Sequence, residues 1–269
     1  MNLKEIIFEV LDIIPDLWYH PEIKTEVIVG AGYVPLKTRD EREPMRMQKI
    51  KTERKLRDLM SRRLKRQMQI LQFYGIQKAK PKIKLDLTPW EEEQFIDELI
   101  AIIYSAGKYG VELFEDQVGI GLDYTLANAR ALSWARTYTY DLIKGIDETT
   151  VKILQEAVSS FIGTPGFNIG DIMDQLTEYS EKRAATIAVT ETTRAFAEGQ
   201  KEAGRILREE NPGVKIEKTW FTNNDDRVCD ICGPLDGKSV DYDEEFEAEG
   251  PPAHVNCRCW IEYNTRLNG

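Results

Sequence analysis

All four cysteines of this 269-residue chain fall between Cys229 and Cys259, and one of its two histidines stands among them. The pattern is Cys229-x2-Cys232 and then, after a long gap, His254-x2-Cys257-x-Cys259. Two cysteines separated by two residues on a tight turn can reach one metal ion, and a second pair from a distant loop then closes a tetrahedron. The stretch between them, Gly233 to Ala253, is dense in Asp, Glu, Gly and Pro. It cannot bury a core unaided, so a staple is what would let it fold. Five donors compete for four places. Cys229, Cys232, His254 and Cys257 make the first set, and Cys259 in place of Cys257 makes the second. Both thiols would face one way if their segment is a strand. Structural zinc is the expected occupant, with a pair of disulfides or free buried thiols as the alternatives. A closed Cys/His shell leaves no position for water, which points to structure over catalysis.

The rest of the chain reads as helix. Residues 2–14 carry Ile6, Ile7, Val10, Leu11 and Ile14 at helical spacing, and residues 23–36 read as a loop or short strand. From about Pro44 to Tyr74, Leu56, Leu59, Met60, Leu64, Met68 and Leu71 fall on one side; Lys51, Arg54, Lys55, Arg62, Lys65 and Arg66 fall on the other. A basic linker follows around Pro81. Thr88, Pro89 and Glu91 then form a capping box for a helix to about Glu115. Gly119 and Gly121 break it. The next helix runs from Asp123 to Lys144 and is closed by Gly145; Asp147 caps another, to Phe161. A turn at Gly163, Pro165 and Gly166 leads into a stretch from Asn168 to Glu209, with a possible second cap at Ser180. After Asn211-Pro212-Gly213 the pattern changes, and Lys215–Thr222, Lys238–Asp241 and Cys257–Tyr263 read as strands. The fold class expected is mainly α with a small C-terminal β-rich module (α+β). Its expected parts are an N-terminal arm (1–87), a helical body (88–210) and the Cys/His module (211–269) packed on the preceding helix.

The net charge of −10 hides a split: Lys37 to Lys84 carry 17 basic and 5 acidic residues, so the remainder is strongly acidic. Such asymmetry suggests that separate regions face different partners. The basic helix is accordingly expected to be a detached arm, its apolar stripe laid on another protein. Arg54, Arg62, Lys65 and Arg66 would contact an acidic partner or DNA. The longest uncharged run, Ala157 to Gly170, is only 14 residues, short of the ~20 that cross a bilayer. The acids at Glu5, Glu9 and Asp12 do not suit a signal peptide. A cytoplasmic protein without a membrane partner is expected.

The stretch from Trp220-Phe221-Thr222 through Asp226-Arg227-Val228-Cys229-Asp230-Ile231-Cys232, Leu235-Asp236-Gly237-Lys238 and Pro251-Pro252-Ala253-His254-Val255-Asn256-Cys257-Arg258-Cys259 resembles the C-terminal signature of phage head-morphogenesis proteins, the Mu F-like minor head proteins. The upstream Ile187-Ala188-Val189-Thr190-Glu191-Thr192-Thr193-Arg194-Ala195, with Glu198-Gly199, is similar to the helical motif that precedes it there. Val255 stands where proline is common and Val189 where arginine is common; neither is a candidate ligand. The match covers about residues 181–262. Glu191, Arg194, Trp220, Asp236 and Gly237 are its structural positions. The resemblance implies a minor component of tailed-phage heads, inside the virion or procapsid after assembly in the host cytoplasm. It further implies association with the portal protein, capsid or scaffolding proteins and packaged DNA, and a role in assembly or DNA delivery, not enzymatic work.

Glu191, Arg194 and Glu198 share a helix face at i, i+3, i+7. The plain reading is a row of exposed ion pairs; the sharper one has Glu191 or Arg194 docking the helix against the module. The acid run from Asp241 to Glu247 lacks the spacing and central glycine of a calcium loop. Two other functions compete with a structural head protein. One is a zinc-stapled nucleic-acid-binding module. The other is an HNH-like nuclease, which would lack a second histidine for its metal.

Overall fold

The computed structural model describes residues 43–74, 92–163, 169–223 and 225–267. Four helices come first, α1 (Glu43–Tyr74), α2 (Glu92–Val118), α3 (Tyr124–Gly163) and α4 (Ile169–Glu210). Three strands follow, β1 (Val214–Phe221), β2 (Ser239–Asp241) and β3 (Trp260–Leu267), with one 3-10 turn at Gly233–Leu235. The mainly α class with a small C-terminal sheet is what the sequence led us to expect. The readings over residues 2–36, the linker around Pro81, the Thr88 capping box and the turn at Pro165 lie outside the described residues. No helix among the described residues is long and apolar enough to cross a membrane.

The helix ends follow local chemistry. Gly119 closes α2 in the left-handed conformation (φ 68°), which a residue with no Cβ adopts freely. Asp123 then caps α3: its Oδ1 accepts from the backbone N–H groups of Thr125 (2.9 Å) and Leu126 (3.1 Å). Two expected breaks are absent. α3 runs unbroken through Gly145 and Asp147, and α4 through Ser180. An interior glycine costs a helix only about 1 kcal/mol, and packing on both sides of Gly145 outweighs that. Asp147 caps nothing; its carboxylate takes two hydrogen bonds from Arg63 Nη2 (3.0 and 2.8 Å) and one from Gln67 Nε2 (2.8 Å).

The arm expected to be detached is part of the bundle. Leu56, Leu59, Met60 and Leu64 of α1 are buried with Leu99 and Ile103 of α2, Ala131 and Ala135 of α3, and Ala184 and Ala188 of α4. The apolar stripe was read correctly, but the partner that covers it is this same chain. Removing such a stripe from water is worth about 1.5–3 kcal/mol per large side chain, so α1 packs on its own body once its partners lie within reach. Arg63 enters with the stripe, its side chain 4% exposed, stacked 4.2 Å over the Phe95 ring. Arg62 and Lys65 clasp Glu98 (2.8 Å) and Glu181 (2.9 Å) at the edges.

α2 and α4 form the axis on which everything else packs. They cross with backbones nearly touching. A Cβ on Gly199 would stand 1.9 Å from the Gly107 carbonyl oxygen, and one on Gly110 would stand 2.1 Å from that of Phe196. Beyond this crossing the same two helices carry a second core. There Val111, Phe114, Ile206 and Leu207 meet Ile216, Trp220, Ile261 and Tyr263 of the sheet. The sheet is antiparallel with order β2-β1-β3. β3 begins at Trp260, three residues later than expected, and leaves Cys257 to Cys259 in the preceding turn.

Candidate metal centre and its docking onto the helical body

β1 delivers the chain to the first cysteine pair. Trp220, fully buried, packs edge-on against Phe246 with centroids 5.4 Å apart. Its backbone carbonyl accepts from Gly237 N–H (2.8 Å), and its backbone N–H donates to the Lys238 carbonyl (2.9 Å). Gly237 adopts φ 74° there, a conformation strained for other residue types. Asp236 Oδ1 accepts from both the backbone N–H (2.7 Å) and the hydroxyl (3.0 Å) of Thr222. Trp220, Asp236 and Gly237 thus form a latch that folds the acidic segment back on β1 and closes the loop that carries Cys229 and Cys232.

In that loop the N–H groups of Cys232 and Gly233 donate to the Cys229 carbonyl (3.1 and 2.9 Å), a turn that aims both thiols one way. The second half comes from the turn His254–Cys257, in which Asn256 takes φ 65°. His254 Nδ1 contacts the Val255 carbonyl oxygen at 2.8 Å, leaving Nε2 at 3.1 Å from Cys229 Sγ and 3.2 Å from Cys232 Sγ. Fixing one ring nitrogen on a carbonyl is the usual way a liganding imidazole is oriented. Cys232 Sγ lies 3.9 Å from Cys257 Sγ. Two donor triads result, Cys229-Cys232-His254 and Cys232-Cys257-Cys259, each with its ligand atoms within 4.8 Å of one another. Cys232 belongs to both. The separations approach tetrahedron edges of roughly 3.5–3.8 Å around an ion bound at thiolate and imidazole distances, so the donor set fits a metal.

All four cysteines are free thiols, and 3.9 Å between Cys232 and Cys257 is nearly twice the ~2.05 Å of a disulfide. The cluster crowds charge that only protons or a cation can balance. Cys257 is drawn down to about 5, first by the hydrogen bond with Cys259 and against burial, while that bond pushes Cys259 up. Burial and then the Cys257 charge push Cys232 up to about 12. For His254 burial works the other way, but the Val255 carbonyl and the thiolates of Cys257 and Cys229 raise it above the ordinary imidazole range. A divalent cation taking the place of these protons relieves the repulsion.

The docking of this module on the helical body rests on residues the sequence did not mark. Thr190 Oγ1 accepts from Asn256 N–H (2.8 Å), and Thr193 Oγ1 donates to the Cys257 carbonyl (3.0 Å). Gln200 Nε2 donates to the Ile261 carbonyl (3.1 Å), and Gln117 Oε1 accepts from Tyr263 N–H (3.2 Å). Thr190 and Thr193 are one helical turn apart and lie within the motif noted above, but nothing in a Thr-x-x-Thr spacing names its partner. Glu191 turns from the module to α3. It is buried, accepts a short hydrogen bond from Tyr138 and pairs with Arg194 Nε at 3.4 Å. Burial pushes its carboxyl up, opposed by Tyr138 and Arg194. So the Glu191–Arg194 pair joins α3 to α4, where exposed pairs or contact with the module were the two readings.

Of the partner-contacting candidates, Arg54, Arg62, Lys65 and Arg66 all lie on the exposed side of α1. They are far along the chain from the thiols, although α1 approaches them at its start. Lys49, held below the ordinary lysine range by burial, interacts electrostatically with Glu53, Cys257 and Cys259.

The class defined by this architecture is a helical body stapled to a Cys/His β module. Residues 152–262, from the second half of α3 into β3, match the family described as phage Mu protein F like protein. The resemblance read from the sequence over residues 181–262 lies inside that match. The chain is also 30% identical over 156 residues to a protein of Enterococcus faecalis (strain ATCC 700802 / V583) named NAD(+)--arginine ADP-ribosyltransferase EFV. The alignment covers 52% of this chain and 31% of that protein, so the chain spans about a third of its relative's length. No solved structure matches.

Proposed function

We propose that this protein is a minor head protein of a tailed phage. It would sit inside the procapsid at the portal and support head assembly and DNA packaging or delivery. The observation that carries this reading is the Mu F-like match falling on the stapled module and on α4, one of the two helices that seat it. Portal protein, capsid or scaffolding proteins and packaged DNA are the proposed partners. The exposed cations Arg54, Arg62, Lys65 and Arg66 are the proposed contact points. Polar groups of the kind that elsewhere do catalysis are used here for cohesion: Glu191 ties α3 to α4, and Thr190 and Thr193 seat the module. We therefore read the chain as a structural protein; arginine ADP-ribosylation belongs to the name of a relative of which the alignment covers 31%.

The expected result is co-sedimentation with procapsids that carry portal and loss of the protein from procapsids assembled without it. Equal incorporation in both kinds overturns portal association. Turnover of NAD(+) by the purified chain overturns the structural reading.

The metal proposed for the module is zinc, because mixed thiolate and imidazole donors in a closed tetrahedral shell suit that ion and give it a structural role. Elemental analysis of protein purified under reducing conditions is expected to find one zinc per chain. Cys232→Ser should remove it altogether, since Cys232 belongs to both donor triads. Comparison of Cys257→Ser with Cys259→Ser identifies the fourth ligand, because replacing the cysteine that is not a ligand leaves metal content unchanged. Bound metal should also be lost as pH falls, because protons compete for the same thiolates and imidazole.

A further inference from the structure

The apolar stripe that seats α1 changes character at its start. Leu56, Met60 and Leu64 are fully buried on it, and Gln67 continues it. One heptad before Leu56 and Met60, the same stripe carries Lys49 and Glu53. Both are half-buried, whereas Lys51, Arg54 and Lys55 on the other side are exposed. A lysine and a glutamate where a helix faces its neighbours need a reason, because a charge taken from water must be balanced nearby. Pairing within the helix is a weak reason, since an i, i+4 pair contributes little and Lys before Glu is its poorer order.

What faces them is the Cys/His module. Lys65 of α1 pairs with Glu181 of α4 (2.9 Å), and from there the two helices run antiparallel towards the module. Equal lengths of helix from that pair reach Glu53 on α1 and Thr193 on α4. Thr193 donates to the Cys257 carbonyl (3.0 Å), and Thr190, one turn away, accepts from Asn256 N–H (2.8 Å). The turn carrying Cys257, Arg258 and Cys259 is therefore laid on α4 at the level where α1 presents Lys49 and Glu53. Lys49 interacts electrostatically with Cys257 and Cys259, and Glu53 with Arg258. Arg258 needs such a partner: its Nε is buried and makes no hydrogen bond among the described residues.

The charges around this turn balance. A divalent ion held by three thiolates and a neutral imidazole leaves one negative charge, whether Cys257 or Cys259 is the fourth ligand. Lys49 offsets that charge, and Glu53 offsets Arg258. We infer that Lys49 is the counter-charge of the metal centre, and that the loaded centre in turn holds the start of α1 on the bundle. The inference rests on the metal proposed above for the module. It goes beyond the family match, which begins at residue 152 and does not reach α1. The two effects are one coupling: whatever Lys49 adds to metal affinity, bound metal adds to the docking of α1. Groups that support a metal site from behind its ligands are worth about 10–100-fold in affinity.

Competition between the full chain and a chromophoric chelator for zinc tests it. Lys49→Met should still bind the ion but hold it about 10-fold less tightly than the parent. Methionine keeps the stem that packs and drops the ammonium, so circular dichroism should match the parent. Lys49→Gln, a second neutral variant, should lose affinity alike if methionine disturbs the helix. Lys49→Arg keeps the charge and should stay near the parent. Hydrogen exchange reads the other direction: adding zinc to the metal-free parent should slow exchange over residues 46–53, and should slow it less in Lys49→Met. A parent that binds no zinc overturns the metal reading and this inference with it. A parent that binds zinc while both neutral variants hold it equally tightly overturns the inference alone, as does equal slowing of exchange in parent and Lys49→Met. A loss in Lys49→Arg as large as in Lys49→Met also overturns it, because side-chain shape and not charge would then be the cause.

Discussion

Gly199→Ala is expected to lower the thermal midpoint by roughly 6–12 °C, the consequence of about 3 kcal/mol lost in a chain of this size. The new methyl would stand 1.9 Å from the Gly107 carbonyl oxygen, 2.7 Å from its carbon and 3.0 Å from its Cα. All three are backbone atoms of the facing helix, so no rotamer change relieves the clash; α2 and α4 must part. Parting them also disturbs the second core, since the same two helices carry Phe114 and Leu207 into it. Gly145→Ala is the control. A Cβ there meets nothing within 4 Å, and the helix gains about 0.5–1 kcal/mol from losing a glycine. Calorimetry on the pair separates close approach from helix propensity: if both substitutions move the midpoint the same way, the backbone contact is not what fixes Gly199.

Asp147→Ala should cost about 3 kcal/mol, the low end of the range for breaking a buried ion pair, because Asp147 is still a quarter exposed while Arg63 is 4% exposed. The loss comes less from the missing attraction than from the guanidinium left behind. Held under α1 and against the Phe95 ring, Arg63 has no route to water without unseating the helix. Denaturant unfolding is expected to show the deficit, and proteolysis should cut α1 before the rest of the bundle. Arg63→Met together with Asp147→Leu should recover most of the stability, since an apolar pair of similar volume needs no counter-charge. If the double variant is as unstable as the single one, the pair acts through geometry and not through charge.

How far the sequence reached depended on the distance over which each feature is encoded. The Cys/His cluster was legible because each half of it is a local spacing, and the structure brings all five donors together. Which four serve was not legible, since that depends on how two turns 25 residues apart meet. The apolar stripe of α1 was legible as a stripe, but a stripe carries no address; its cover comes from Leu99, Ile103 and Ala188, which any helical pattern equally provides. Gly145 and Asp147 together imitate a helix stop and a new cap, and local propensity is overruled there by packing on both sides and by Arg63. Gly199 was visible within a motif, yet its reason, Gly107 on a different helix, is invisible in a one-dimensional reading. Thr190 and Thr193 belong to the same kind. A hydroxyl on a helix is silent until the chain it binds arrives.

That arrival is late. β1 is the middle strand of the sheet but is made well before β3, its longer neighbour. Gln117 waits for Tyr263 across 146 residues, and Val118 for Thr265 across 147. While a ribosome is still producing the acidic segment, α2 and α4 can already cross at their glycines. The flank that will receive the sheet, however, lies bare, with Phe114, Ile206 and Leu207 uncovered. In that interval the nascent chain offers a greasy surface and an incomplete set of thiols at the same moment. Synthesis rate, chaperone supply and available metal should therefore govern yield far more than the stability of the finished protein does.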